Sequence, residues 1–227
     1  MRKDPLITGE IYHICNRSTE GIPIFSEKAD AKRFLSALAQ SNTTGLSLRG
    51  ARRMPNKIFG DGSSLVEIYA ITLMPNHFHI CVKQLENNGI TLWMHRTCNS
   101  FAKYFNIINE RKGSLFMGRF KAVPITENRQ LFHVLVYINA NPLDLYAPGW
   151  RKGKINNWNA AKSFLNNYSF SSFGLVAGST VLDENIKKLI FNNDFIKSFT
   201  KEYGGIENGV RDWSSRITDE YSNIFLE

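Results

Sequence analysis

The chain has 227 residues, with 28 Lys and Arg against 20 Asp and Glu, which is room for one substantial domain and a tail, since a domain takes about 100 to 200 residues. No apolar run approaches the roughly 20 residues of a membrane span, the N-terminus lacks the pattern of a secretory signal, and Cys15, Cys81 and Cys98 are spaced for neither a disulfide framework nor a zinc knuckle. A soluble, cytoplasmic protein with reduced thiols is expected, and its net charge of +8 favours a polyanionic partner, because Lys and Arg that neutralise phosphates release condensed counterions.

Residues 10–15 form a short β-branched and aromatic run closed by Asn16, Arg17 and Ser18, a first strand. Ser26 is a candidate N-cap, and Ala31, Phe34, Leu35 and Leu38 follow at the spacing of one helix face. Residues 41–65 read as a long polar connection containing Arg49, Arg52, Arg53 and Lys57, either a solvated loop or a basic finger against a nucleic-acid backbone. Residues 66–73 and 77–83 are two β-rich runs joined by Met74-Pro75-Asn76, a hairpin. Gly89 and Thr91 open a second helix with Met94, Thr97, Phe101, Tyr104, Phe105 and Ile108 on one side, stopped by Arg111-Lys112-Gly113.

Residues 119–125 form a further strand, which Pro124 assigns to an edge or a strand end. The order β-α-β-β-α-β predicts an α+β fold with a ferredoxin-like, split βαβ antiparallel sheet and helices on one face. A third helix is expected from Asn128, capped by Thr126, with Leu131, Val134, Leu135 and Ile138 on its apolar face. It should end near Asn141, since Pro142 disfavours the αR region at the residue before it. Beyond residues 156–173, rich in Asn, Ser and aromatics, two or three amphipathic helices are expected. The main unit is placed at 1–174 and a helical extension at 175–227.

Side chains alternate along a strand, so His77, His79, Cys81 and Lys83 share one face and Phe78, Ile80 and Val82 the other. Two imidazoles at i and i+2 on one face suit a single cation; the alternative is a pair of half-buried histidines bonded to backbone. Cys81 stands where a binuclear hydrolase pattern needs Asp, and a second His-x-Thr or His-x-Ser motif is absent from the sequence. The pair therefore needs an outside partner, and Tyr137 is the candidate: at 3.6 residues per turn it projects roughly 120° from the centre of its helix's apolar face, outside a simple core position. Its alternative role is an interfacial tyrosine with a wet hydroxyl. Tyr104 is the strongest of the other tyrosines, but it falls on the Phe101/Phe105/Ile108 stripe and reads as packing. His133, one turn from Tyr137, is a possible auxiliary base.

At these residues the sequence resembles the single-tyrosine HUH transposases, insertion-sequence-200-like, and among them the REP-associated tyrosine transposases. Leu73-Met74-Pro75-Asn76-His77-Phe78-His79-Ile80 is similar to the family's hairpin and metal motif, and Tyr137-Ile138-Asn139-Ala140-Asn141-Pro142 to its nucleophile motif. Tyr12-His13-Ile14-Cys15-Asn16-Arg17 with Pro23-Ile24-Phe25, and Gly118-Arg119-Phe120-Lys121, are supporting matches. The likeness runs over about residues 8 to 174, ending in Tyr168-Ser169-Phe170-Ser171-Ser172-Phe173. It leaves out the basic insertion at 43–65 and everything after 175.

The resemblance implies a transposase that nicks and rejoins single-stranded DNA beside hairpins. Tyr137 would be the nucleophile, leaving a 5′-phosphotyrosine and a free 3′-OH, and Mg²⁺ or Mn²⁺ would be held by His77, His79 and Asn141. A phenol with pKa about 10 needs a base, nearby positive charge or the metal to attack at neutral pH. Arg49, Arg52, Arg53, Arg119 and Lys121 are the expected DNA contacts. The partner would be single-stranded DNA carrying REP-like or other inverted repeats, with a monomer favoured over a homodimer. Two other readings share these features: a domesticated hairpin-binding protein without turnover, and a replication initiator or relaxase with the same metal pair.

Overall fold

The computed structural model describes residues 5–45, 62–152, 155–178, 184–190 and 193–215. Four strands, β1 (Ile11–Arg17), β2 (Val66–Met74), β3 (His77–Gln84) and β4 (Lys121–Ile125), form one antiparallel sheet in the order β2-β3-β1-β4. This is the expected α+β, split βαβ arrangement. The two-residue turn Pro75-Asn76 pairs Met74 with His77 and so sets the hairpin register. β3 is interior, between β2 and β1, while β4 takes an edge, where the missing N–H of Pro124 is tolerated.

Helices α1 (Lys28–Ser41) and α2 (Gly89–Ile108) cover one face. Ile14, Ile71, Leu73, Phe78, Ile80 and Val82 of the sheet meet Phe34, Leu35 and Leu38 of α1 and Trp93, Met94 and Phe101 of α2 in one buried cluster. The Trp93 indole satisfies its N–H on Leu38 O at 2.8 Å. Asn42 ties the end of α1 to β2, donating to Val66 O and accepting from Val66 N–H, both at 2.9 Å. α1 starts one residue later than anticipated, with Glu27 rather than Ser26 at its N-cap. Ile108, expected on the packed stripe, is exposed at the final residue of α2, so the stripe closes at Phe105.

Helix α3 (Asn128–Ala140) packs on the opposite face, with Leu131, Val134, Leu135 and Ile138 clustered with Tyr69, Ala70 and Cys81 of the sheet. Glu127, not Thr126, is its N-cap; the Thr126 N–H is instead satisfied by Gln130 Oε1 at 2.8 Å. Asn141 does not leave the helical region as Pro142 led one to expect. It stays at φ −49°, ψ −39°, and Pro142 follows at φ −59°, ψ −18°, leading into α4 (Leu143–Tyr146). A proline entering a new helical turn has no bond to lose there, because first-turn N–H groups lack intrahelical partners anyway.

The remaining helices are α5 (Trp158–Asn167), α6 (Phe173–Ala177), α7 (Glu184–Leu189), α8 (Asn193–Glu202) and α9 (Ile206–Ser215). Ile186, Leu189 and Ile190 join the α1/α2 cluster, whereas Ile196, Phe199, Ile206 and Val210 join that of α3. Residues beyond 175 thus contribute to both layers. α9 comes so close to α3 that a Cβ on Gly209 would lie 2.6 Å from Val136 Cγ2 and 2.8 Å from Phe132 Cζ. Among the described residues no helix is long and apolar enough to cross a membrane.

Candidate active site

Because directly opposed residues of antiparallel strands point to the same side, the register assembles the site. Thr72, His79, Cys15 and Lys121 form one row across the four strands, and His77 lies between Met74 and Arg17 in another. His13, opposite Cys81, also faces this side. The apolar neighbours of the two histidines, Phe78 and Ile80, point into the α1/α2 cluster as the alternation requires.

Each candidate ligand imidazole is held at Nδ1. That of His77 lies 2.6 Å from Asn76 Oδ1, and since an amide oxygen only accepts, Nδ1 carries the proton and Nε2 keeps its lone pair. His79 Nδ1 lies 3.0 Å from His13 Nε2; with Nδ1–H donating there, Nε2 of His79 is likewise the lone-pair nitrogen. His77 Nε2, His79 Nε2 and Asn141 Oδ1 are all buried without a hydrogen-bond partner. A buried polar atom left unsatisfied costs about 1–3 kcal/mol, a cost that a ligand shared by the two neighbouring imidazoles, 5.1 Å apart ring to ring, would relieve; Asn141 follows Tyr137 by one turn of chain.

Burial first, and then the Arg17 charge, lowers the His77 pKa from 6.5 to about 4. Burial, then His13 and His77, holds His79 well below its ordinary value. Both rings are therefore neutral at neutral pH, the form that a cation requires. Two neutral nitrogens and an amide oxygen fit a divalent cation with mixed donors whose other positions go to water or substrate oxygens. Among the described residues no group of three or more His, Cys, Asp and Glu is placed to hold a metal; the candidate set depends on Asn141.

Tyr137 stands beside this set. Its ring centroid is 5.3 Å from that of His79 and 5.7 Å from that of His13, edge-on to both. The α3 backbone carrying it is pinned to β2: Thr72 Oγ1 donates to Ile138 O at 2.7 Å, and Ser172 Oγ donates to Asn139 Oδ1 at 2.8 Å while accepting from the Ile71 N–H at 3.1 Å. Residues 170–172 bring Ser172 there by pairing along β2, with Leu73 N donating to Phe170 O and Ser172 N to Ile71 O, each at 2.9 Å.

The exposure expected of Tyr137 is overturned, since it is completely buried. It belongs to the same buried cluster as Leu131, Val134, Leu135 and Ile138, and its surroundings are closed further by Trp213 of α9, 5.8 Å away ring to ring, and by Arg151 Cζ, 5.2 Å from the ring centroid. His133 lies between Phe132 and Trp213, with ring centroids 5.9 and 6.4 Å away. Arg119 and Lys121 are exposed, and Lys121 shares the His79 row. Tyr104 is on α2, across the sheet, under the Arg33 guanidinium at 5.5 Å. Arg49, Arg52 and Arg53 lie outside the described residues.

His13, Arg17, Arg151 and Trp213 were not anticipated as parts of the site. For His13 and Arg17 a signal existed, because their alternation along β1 puts them on one face; the missing fact was that β1 is the neighbour of β3. For Arg151 and Trp213 no local pattern marks them.

No protein-family model and no curated protein matches this chain. Among solved structures, a REP-associated tyrosine transposase bound to a REP hairpin is similar at a TM-score of 0.47 and 16% identity, covering 81% of this chain and 87% of that one. What this site does must therefore be read from its own geometry.

Proposed function

We propose that the protein is a divalent-metal-dependent transesterase acting on single-stranded DNA through Tyr137. The observation that carries this is the trio of partnerless buried acceptors, His77 Nε2, His79 Nε2 and Asn141 Oδ1, with Tyr137 packed edge-on against His79. The motif resemblance around residues 73–80 and 137–142 supports the same reading. His77, His79 and Asn141 would hold the cation, with Asn76 and His13 fixing the imidazoles. Bound Mg²⁺ or Mn²⁺ would supply Lewis-acid stabilisation of charge on a non-bridging phosphate oxygen.

Tyr137 Oη forms a bond to phosphorus as the bond from phosphorus to the 3′ oxygen breaks. The phenolic proton leaves to solvent or a base, the departing 3′ oxygen takes up a proton, and the 5′ end remains as phosphotyrosine. Since one phosphodiester is exchanged for another, a 3′-OH can reverse the step or redirect it. The phosphate must reach a ring sheathed on both sides, which suits an unpaired strand, such as one flanking a hairpin, and requires Trp213 to shift. Exposed Arg17 and Lys121, on the same sheet face, are placed to attract the backbone. The histidines and the tyrosine adjoin within one chain, which supports a monomer over a homodimer.

The complete burial of Tyr137 favours one other reading, a hairpin-binding protein without turnover. Incubation with labelled single-stranded hairpin DNA and Mn²⁺ separates the two. The transesterase yields a denaturant-resistant protein–DNA adduct that Tyr137→Phe abolishes while DNA binding persists. DNA binding by the wild type with no adduct assigns the silent binder.

A further inference from the structure

A phosphodiester enters as an anion and gains charge at the transition state, so a cationic group beside the attacking hydroxyl would add to whatever charge the metal supplies. Arg151 is such a group beside the tyrosine. It belongs to the short helical turn Trp150–Lys152, which returns the chain to α3 a few residues after α4. Its guanidinium Cζ lies 5.2 Å from the Tyr137 ring centroid and 4.9 Å from that of Trp150.

Asp144 aims it. The carboxylate accepts from Arg151 Nη2 at 2.7 Å and Nε at 3.2 Å, and also from the Trp150 indole N–H at 2.5 Å. Arg151 and Asp144 retain 30% and 31% side-chain exposure, so the pair has the buried tyrosine on one side and solvent on the other. An ion pair this exposed adds little stability, too little to account for two aromatic rings and an indole N–H arranged around it. Both members of the pair lie within electrostatic reach of His77, Asp144 raising its pKa and Arg151 lowering it by less, and Arg151 also lowers that of His79. Asp144 sits on the Nε/Nη2 edge of the guanidinium; an arriving phosphate oxygen would take the Nη1 side, exchanging any contact now made there. A planar guanidinium suits such an oxyanion better than an ammonium group does.

We propose that Arg151, aimed by Asp144 and Trp150, is a phosphate seat beside Tyr137: a catalytic residue that grips a non-bridging oxygen of the phosphodiester under attack and then of the phosphotyrosine. The catalytic half of this assignment rests on the transesterase reading; the anion seat does not.

The test has two arms. In the first, inorganic phosphate is titrated while tryptophan fluorescence is followed, since Trp150 adjoins the seat. Wild type should give a saturable change, Arg151→Met should weaken it at least about ten-fold, and Arg151→Lys should fall between them. Equal titrations for wild type and Arg151→Met, or no saturable change in wild type, overturn the seat. In the second, single-turnover adduct formation with hairpin DNA and Mn²⁺ should slow about 10²- to 10³-fold in Arg151→Met, the usual loss on removing one group that stabilises developing charge. Arg151→Lys should recover part of the rate, with hairpin affinity changed less than about three-fold. A rate within about three-fold of wild type, or a loss matched by lost affinity, overturns the catalytic role. A wild type that forms no adduct, yet binds phosphate through Arg151, refutes the transesterase reading while upholding the seat.

Discussion

The two faces of the sheet are made by the same strands and both carry a buried apolar cluster, but the histidines gather on only one of them. Toward α1 and α2, Ile14, Phe78, Ile80 and Val82 interlock with aliphatic and aromatic side chains; the Trp93 indole N–H is satisfied there, while Thr97 Oγ1 on the same stripe of α2 is not. Toward α3, the alternate residues His13, Arg17, His77 and His79 gather polar groups, and two imidazole nitrogens stay buried and unpaired. A strand has period two, so one segment of eight residues can stabilise the fold with one set of side chains and keep costly unsatisfied atoms on the other. The apolar clusters on both sides offset what the unsatisfied imidazoles lose.

Neighbouring substitutions on β3 break this comparison most sharply. Phe78 is fully buried against Phe34 and Phe116, with ring centroids 5.0 and 6.1 Å away. Phe78→Ala should cost about 3–5 kcal/mol in denaturant unfolding, while the protein that remains folded still responds to Mn²⁺. His79→Ala should do the reverse. It should abolish the rise in Tm expected of wild type with Mn²⁺ under the proposed metal site, a stabilisation of about 2.7 kcal/mol at a hundred-fold excess over Kd, and leave the metal-free Tm at or above that of wild type. If His79→Ala loses as much stability without metal as Phe78→Ala, the division between the faces fails.

A smaller effect is expected where α9 closes the polar layer. With Val136 and Phe132 in the way of a Cβ, Gly209→Ala should overpack the α3–α9 contact and cost about 1–3 kcal/mol. Hydrogen exchange should then quicken in α9 before α1. Uniform loss of protection would mean that α9 is integral to the whole fold rather than a cover on one face.

The dependence on pH probes a single imidazole of the face toward α3. His77 has its pKa lowered to about 4 from 6.5, so between these values the unfolded chain binds more protons than the native one. Stability is then retained above about pH 6.5 and declines as the pH falls toward about 4. Urea unfolding of wild type and His77→Ala between pH 7 and pH 4 should show a shallower decline in the variant. Equal slopes would mean that His77 is not desolvated in the native state.

The elements themselves were legible in local pattern. The helix spacing of Phe34, Leu35 and Leu38, the turn at Pro75-Asn76 and the alternation through His77, Phe78 and His79 each report a period that survives without knowledge of the rest of the chain. The helix caps were read less well: Ser26 and Thr126 each lie one residue before the residue that takes the cap position, Glu27 and Glu127. Asn141 was misjudged for another reason, since the cost that a proline imposes on the residue before it is small enough for the continuing turn of α4 to override.

Sequence alone determined which residues of each strand share a face, and therefore that His77 and His79 lie side by side on one side of the sheet. Only the tertiary structure decided who meets them. His13 becomes the partner of His79 because β1 inserts beside β3, sixty-six residues apart in the chain; Arg151 and Trp213 reach Tyr137 because α4 turns back and α9 docks through Gly209. Such meetings join distant segments at isolated points, and a single contact, unlike a helix or a strand, leaves no period in the sequence.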